Sequence, residues 1–99
     1  MSDFSVTIDQ LRIIKEQLSE LNTQFMTQKN QLSETAASLN GMWEGKAKDK
    51  FTTEIARDQV QMQNFYNAVA QYVTTLEQII AKYLEAEARN LETATTRIY

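Results

Sequence analysis

Cysteine, proline and histidine are absent from this sequence, and glycine occurs only twice, at Gly41 and Gly45. Without Cys, disulfide staples and thiol chemistry are excluded and nothing marks a redox compartment. Without Pro, and with both Gly in one short interval, almost nothing interrupts a helix along the 99 residues. A single all-α domain is expected, because a chain of this length serves one core and is too short for two.

The missing His and Cys also remove the usual activating base and the strongest nucleophile, so a hydrolase or transferase is not expected. Zinc would lack its usual ligands, and no Asp/Gly-rich calcium loop is present, so no metal or cofactor is expected. Carboxylates remain, but Glu16 with Glu20 and Glu85 with Arg89 stand at the i, i+4 spacing of a solvated helix face. Lys46, Lys48 and Lys50 could form a basic tip, yet Glu44 and Asp49 lie among them and a solvated surface is the simpler reading. Lys plus Arg number 10 against 13 Asp plus Glu, scattered along the chain, so the charge pattern carries no nucleic-acid footprint. No apolar run is long enough to span a bilayer, and Met1-Ser2-Asp3-Phe4 offers no basic n-region, so no cleaved signal peptide is expected.

What the chain does have is heptad order. Thr7-Ile8-Asp9-Gln10 fits a capping box, which starts a helix near Ile8. Leu11, Leu18, Phe25, Leu32 and Leu39 then recur every seven residues, and Ile14 and Leu21 continue a second seam position that Gln28 and Thr35 make polar. Asn40 and Gly41 supply residues that tolerate a left-handed C-terminal cap, so the first helix is expected over about 8–39 and a turn over 40–45. A second pattern begins at Phe51 and Ile55 and becomes strict at Met62, Phe65, Val69, Tyr72, Leu76, Ile79 and Tyr83. Tyr66, Val73 and Ile80 widen it beyond the stripe of a two-stranded coiled coil, within a helix of about 46–90 followed by a tail, 91–99.

Two helices joined by so short a connection lie antiparallel, as a hairpin. One hairpin cannot cover a widened apolar face, which predicts a second copy and a four-helix bundle, with Met62, Phe65, Tyr66, Val69, Tyr72, Val73, Leu76 and Ile80 at the dimer interface.

Trp43-Glu44-Gly45 places the sole Trp and one of the two Gly in the hairpin connection. A turn aromatic can simply plug the end of a bundle, with Gly supplying backbone freedom beside it. The conjunction is more specific: about one hundred residues, two long amphipathic helices and W-x-G between them. It resembles the WXG family of small early-secretory-antigen-like proteins exported by type VII secretion systems, over essentially the whole chain. Members of that family also carry a Tyr followed four residues later by an acidic residue, matched here by Tyr83-Leu84-Glu85-Ala86-Glu87. Tyr83 would also close the apolar seam, and both roles can hold together.

The resemblance implies a non-enzymatic substrate or export partner, made in the cytoplasm and leaving without a cleaved signal peptide as a folded dimer. Trp43 and Gly45 would form the loop element of its secretion signal and Tyr83 and Glu87 the C-terminal element, read together by the secretion ATPase. The expected partners are an identical chain, favoured, or a related WXG chain, together with that ATPase. Two alternatives stand beside this reading. One is a membrane-active amphipathic protein, disfavoured by the net charge of −3 and by polar seam positions such as Gln28 and Asp58. The other is a plain coiled-coil adaptor.

Overall fold

The structure, a computed structural model, describes residues 7–98, with side chains as far as Leu91. It contains two helices among these residues, α1 (Ile8–Met42) and α2 (Lys46–Ile98), packed as an antiparallel hairpin. The capping box forms as the sequence requires. The Thr7 backbone amide donates to Gln10 Oε1 at 2.9 Å, and the Gln10 amide donates to Thr7 Oγ1 at 3.1 Å. Two groups that the first turn would leave without partners are thereby satisfied.

α1 ends later than the sequence signals suggest, and α2 extends past Asn90, where the sequence alone leaves its end open. α1 passes through Asn40 and Gly41 to Met42, and Trp43 caps it in an extended conformation, φ −108° and ψ 134°. Asn40 stays within the helix, its side-chain Oδ1 accepting from the Thr52 hydroxyl across the hairpin at 3.1 Å. The positive φ that a glycine is needed for falls instead at Gly45, at 117°. α2 continues without a break through residues 91–98, which contain neither Gly nor Pro and so offer nothing to end it.

These two glycines predict opposite effects. A methyl group at either position meets nothing within 4 Å, so the backbone alone decides. Gly41→Ala, inside a helix, is expected to raise stability by about 0.5–1 kcal/mol. Gly45→Ala forces an L residue into a conformation that costs about 1–2 kcal/mol. Thermal denaturation of the two variants should therefore shift in opposite directions.

The molecule is a rod of 83 × 21 × 18 Å with a radius of gyration of 22.7 Å, where a compact domain of this length would have about 13 Å. Its core is accordingly a seam. Along α2 the residues turned to α1 are Met62, Tyr66, Val69, Val73, Leu76 and Ile80, of which Val69 and Ile80 are buried and the others half-buried. Along α1 the facing rows are Leu11, Leu18, Phe25 and Leu32, and Lys15, Asn22, Lys29 and Ala36.

The second of the α1 rows departs from expectation. Ile14, Leu21, Gln28 and Thr35 are exposed, and the polar row one position later takes their place. Lys15 and Lys29 can occupy it because their aliphatic stems cover the seam while the ammonium groups reach water. Asn22 is buried, its Nδ2 donating to the Tyr66 carbonyl at 3.1 Å while its Oδ1 finds no hydrogen-bond partner among the described residues. Further along, Ser33 Oγ lies 2.6 Å from Gln59 Oε1, a second polar contact across the seam. Polar groups at seam positions cost stability and fix register.

Candidate functional site

At the hairpin connection, Trp43 is half-buried against the first turns of α2, its ring centroid 5.4 Å from that of Phe51 at an interplanar angle of 50°. Glu44 and Gly45 are exposed beside it. The Lys48 amide donates to the Gly45 carbonyl at 3.2 Å, so the glycine that turns the chain also supplies the first acceptor of α2. Phe51 also lines a shallow groove of about 190 Å³ with Ala36, Ala37, Ile55 and Ala56. The Trp43 ring is thus held at one edge by a contact in its own hairpin, as a plug would be, and remains accessible.

The C-terminal motif lies at the opposite end. Counting by sevens from Met62 and Tyr66, Tyr83 and Glu87 fall in the two α2 rows that face α1. At their level α1 is only beginning, which leaves Tyr83 51% exposed and Glu87 exposed. Both line a groove of about 360 Å³ together with Thr7, Ile8, Ala86 and Asn90. Tyr83 therefore occupies a seam position without being sealed into the seam. Glu85 and Arg89 pair at 3.4 Å as their spacing requires, but both are about two-thirds exposed, so the pair adds little stability.

Within one chain these two elements stay apart. Gly45 immediately precedes α2 and Tyr83 lies 38 positions further on along that uninterrupted helix, which at ~1.5 Å per residue separates them by roughly 57 Å.

The residues expected at a dimer interface divide into two sets. Met62, Tyr66, Val69, Val73, Leu76 and Ile80 lie against α1 inside the hairpin, whereas Phe65 and Tyr72 are 55% and 59% exposed. With Ile79 they form the row one position before Tyr66, Val73 and Ile80. On α1, Ile14 and Leu21 stand in the same relation to Lys15 and Asn22. Antiparallel helices are related by a two-fold axis normal to the hairpin plane, and such an axis keeps equivalent positions on the same side. Phe65, Tyr72, Ile79, Ile14 and Leu21 consequently share one face. The edge-on contact of Phe65 with Phe25, centroids 5.2 Å apart, marks where that face meets the seam.

Sequence reasoning missed Asn22, Gln59 and the contribution of Thr7 and Ile8 to the groove beside Tyr83. The heptad Lys15-Asn22-Lys29 was a signal for the first, since a polar residue at a seam position is a familiar register device. The groove had none, because it depends on where α1 starts relative to α2. Among the described residues no group of His, Cys, Asp or Glu is placed to hold a metal ion, and no helix is long and apolar enough to cross a membrane.

A helical hairpin with W-x-G at its turn defines a class of small secretion-linked helical proteins. The family model WXG100, described as proteins of 100 residues with WXG, matches residues 3–93, and the chain belongs to that family. No curated protein and no solved structure matches it. Membership makes this a small secreted helical protein of the type VII secretion kind.

Proposed function

We propose that the chain is a substrate or export partner of a type VII secretion machine, travels as an antiparallel dimer of hairpins, and is recognised through Trp43 and Gly45 together with Tyr83 and Glu87. The observation that carries this reading is the placement of the two motif elements, with Gly45, Tyr83 and Glu87 exposed and Trp43 half-buried, at opposite ends of a rod with an uncovered apolar face.

The chain exposes 8111 Å², where a compact monomer of 11.4 kDa exposes about 5,800 Å². The difference goes with the rod shape of the hairpin and its uncovered apolar face. A second copy is the simplest cover for the face formed by Phe65, Tyr72, Ile79, Ile14 and Leu21.

The direct test compares culture supernatants of cells with and without an intact secretion ATPase, and the reading expects retention in the cell when the ATPase is lost. Trp43→Ala and Glu87→Ala are expected to reduce secretion far more than helicity, because neither side chain is needed to hold the seam. Equal losses of secretion and thermal stability would show that Trp43 acts as a plug. For Tyr83→Ala the two effects should be mixed, since it stands in a seam row.

A further inference from the structure

We infer that the groove between the first turn of α1 and the stretch Tyr83–Asn90 is the docking site for the secretion receptor, and that the receptor enters it with an apolar side chain next to a cationic one. This rests on the export reading and deepens it, because it makes the start of α1 part of the C-terminal recognition element.

The groove, about 360 Å³, has two walls. One is α2, presenting Tyr83, Ala86, Glu87 and Asn90 from successive turns. The other is the first turn of α1, Thr7 and Ile8. Its volume lies within the range of ~300–1,000 Å³ that binding clefts occupy. The half-exposed Tyr83 ring and the half-buried Ile8 side chain give it an apolar floor. Glu87 is the charged group of the lining, and it has no ion-pair partner among the described residues. The neighbouring charges do pair, Asp9 with Arg12 at 3.9 Å and Glu85 with Arg89 at 3.4 Å. A lone carboxylate at the edge of an apolar cleft is complementary to a cation carried beside an apolar group.

The α1 wall stands where it does because of the reciprocal hydrogen bonds between Thr7 and Gln10, 2.9 and 3.1 Å long. Thr7 and Gln10 are therefore positioning residues. They hold Ile8 opposite Tyr83, while Ile8, Tyr83 and Glu87 make the contact. This arrangement gives a sequence-distant turn a role in reading the Tyr83–Glu87 motif.

The experiment measures binding of the intact protein to the purified cytosolic ATPase of the secretion machine, and secretion of the same variants. Ile8→Ala is expected to weaken binding roughly tenfold with assembly state and thermal midpoint close to those of the parent chain, and Thr7→Ala to weaken it by a similar factor with assembly state unchanged and a thermal midpoint lowered by the lost cap. Thr7→Asp, which restores a capping side chain, should recover both binding and secretion. Added salt should weaken binding of the parent chain and have little effect on Glu87→Gln. Removal of residues 2–6 should leave binding unchanged. If Ile8→Ala and Thr7→Ala bind and are secreted normally while Glu87→Ala is not, the motif is read without the α1 wall and the inference is wrong. An increase in binding on removal of residues 2–6 would show that the chain's own start fills the groove, which also overturns it. If Trp43→Ala, Glu87→Ala and Ile8→Ala are all secreted normally, the failure lies in the export reading itself.

Discussion

Val69→Asp is expected to abolish the cooperative helical melt across the micromolar range of protein concentration, whereas Tyr72→Asp should leave a melt that recovers as concentration rises. Val69 is 9% exposed and sits in the seam of its own hairpin. A charge there is buried without a partner, at a cost of about 3–5 kcal/mol, against a total stability of roughly 5–15 kcal/mol for a small domain. Added protein offsets a loss by only ~1.4 kcal/mol per tenfold in concentration, too little to restore a cost incurred inside each of the two chains. Tyr72 is 59% exposed on the outer face and centres the row Phe65, Tyr72, Ile79. A carboxylate at that position is harmless in a separate hairpin and becomes buried only when a second copy covers the face. The variant should therefore dissociate more readily by about a hundredfold or more, the factor that a loss of about 3 kcal/mol produces. Because association and folding are linked, its thermal midpoint should depend on concentration more steeply than that of the parent chain. Helical signal at several dilutions, with mass from light scattering coupled to sizing, reads both effects. An outer face that mediates no assembly would leave Tyr72→Asp indistinguishable from the parent in mass and in melting.

The contrast between Val69 and Tyr72 also shows how far the sequence could be read. Both belong to one three-four pattern, and periodicity alone cannot say which of two adjacent rows faces the neighbouring helix. On α2 the rows headed by Phe65 and by Tyr66 are both apolar, so either could have closed the hairpin. On α1 the choice lay between Ile14 with Leu21 and Lys15 with Asn22, and composition favoured the first pair. The fold takes the second, because Lys stems and an Asn22 amide paired with the Tyr66 carbonyl can line a seam at tolerable cost. Setting Ile14 and Leu21 outward then unites them with the Phe65 row on one surface.

Local chemistry was read more reliably. The Thr7–Gln10 capping box placed the start of α1 at Ile8, and the paucity of Gly and Pro predicted two long helices. The end of α1 was harder, since Asn40 and Gly41 are common cap residues and yet the helix runs on through both to Met42. The site divides in the same way. The W-x-G turn and the Tyr83–Glu87 spacing are visible in the chain, whereas the groove beside Tyr83 is a tertiary product of where α1 begins.

Crosslinking between a cysteine at position 44 in one chain and a cysteine at position 87 in another is expected to be efficient, and it decides whether the two motif elements form one signal. Within one chain they cannot meet, because α2 continues unbroken from Lys46 past Glu87 and separates the elements by roughly 57 Å at ~1.5 Å per residue. A composite signal therefore requires two hairpins packed antiparallel, each turn beside the other's Tyr83–Glu87 stretch. Glu44 and Glu87 are both exposed, so neither replacement disturbs the seam. The sequence has no native cysteine to compete. Glu44→Cys in one tagged copy and Glu87→Cys in a second, refolded together and treated with a short thiol crosslinker, should yield a product carrying both tags. Efficient linkage instead in dimers whose two chains both carry only Glu44→Cys would place the turns side by side. The hairpins would then be parallel, the elements would lie at opposite ends of the assembly, and recognition of Trp43 with Glu87 as one unit would be geometrically impossible.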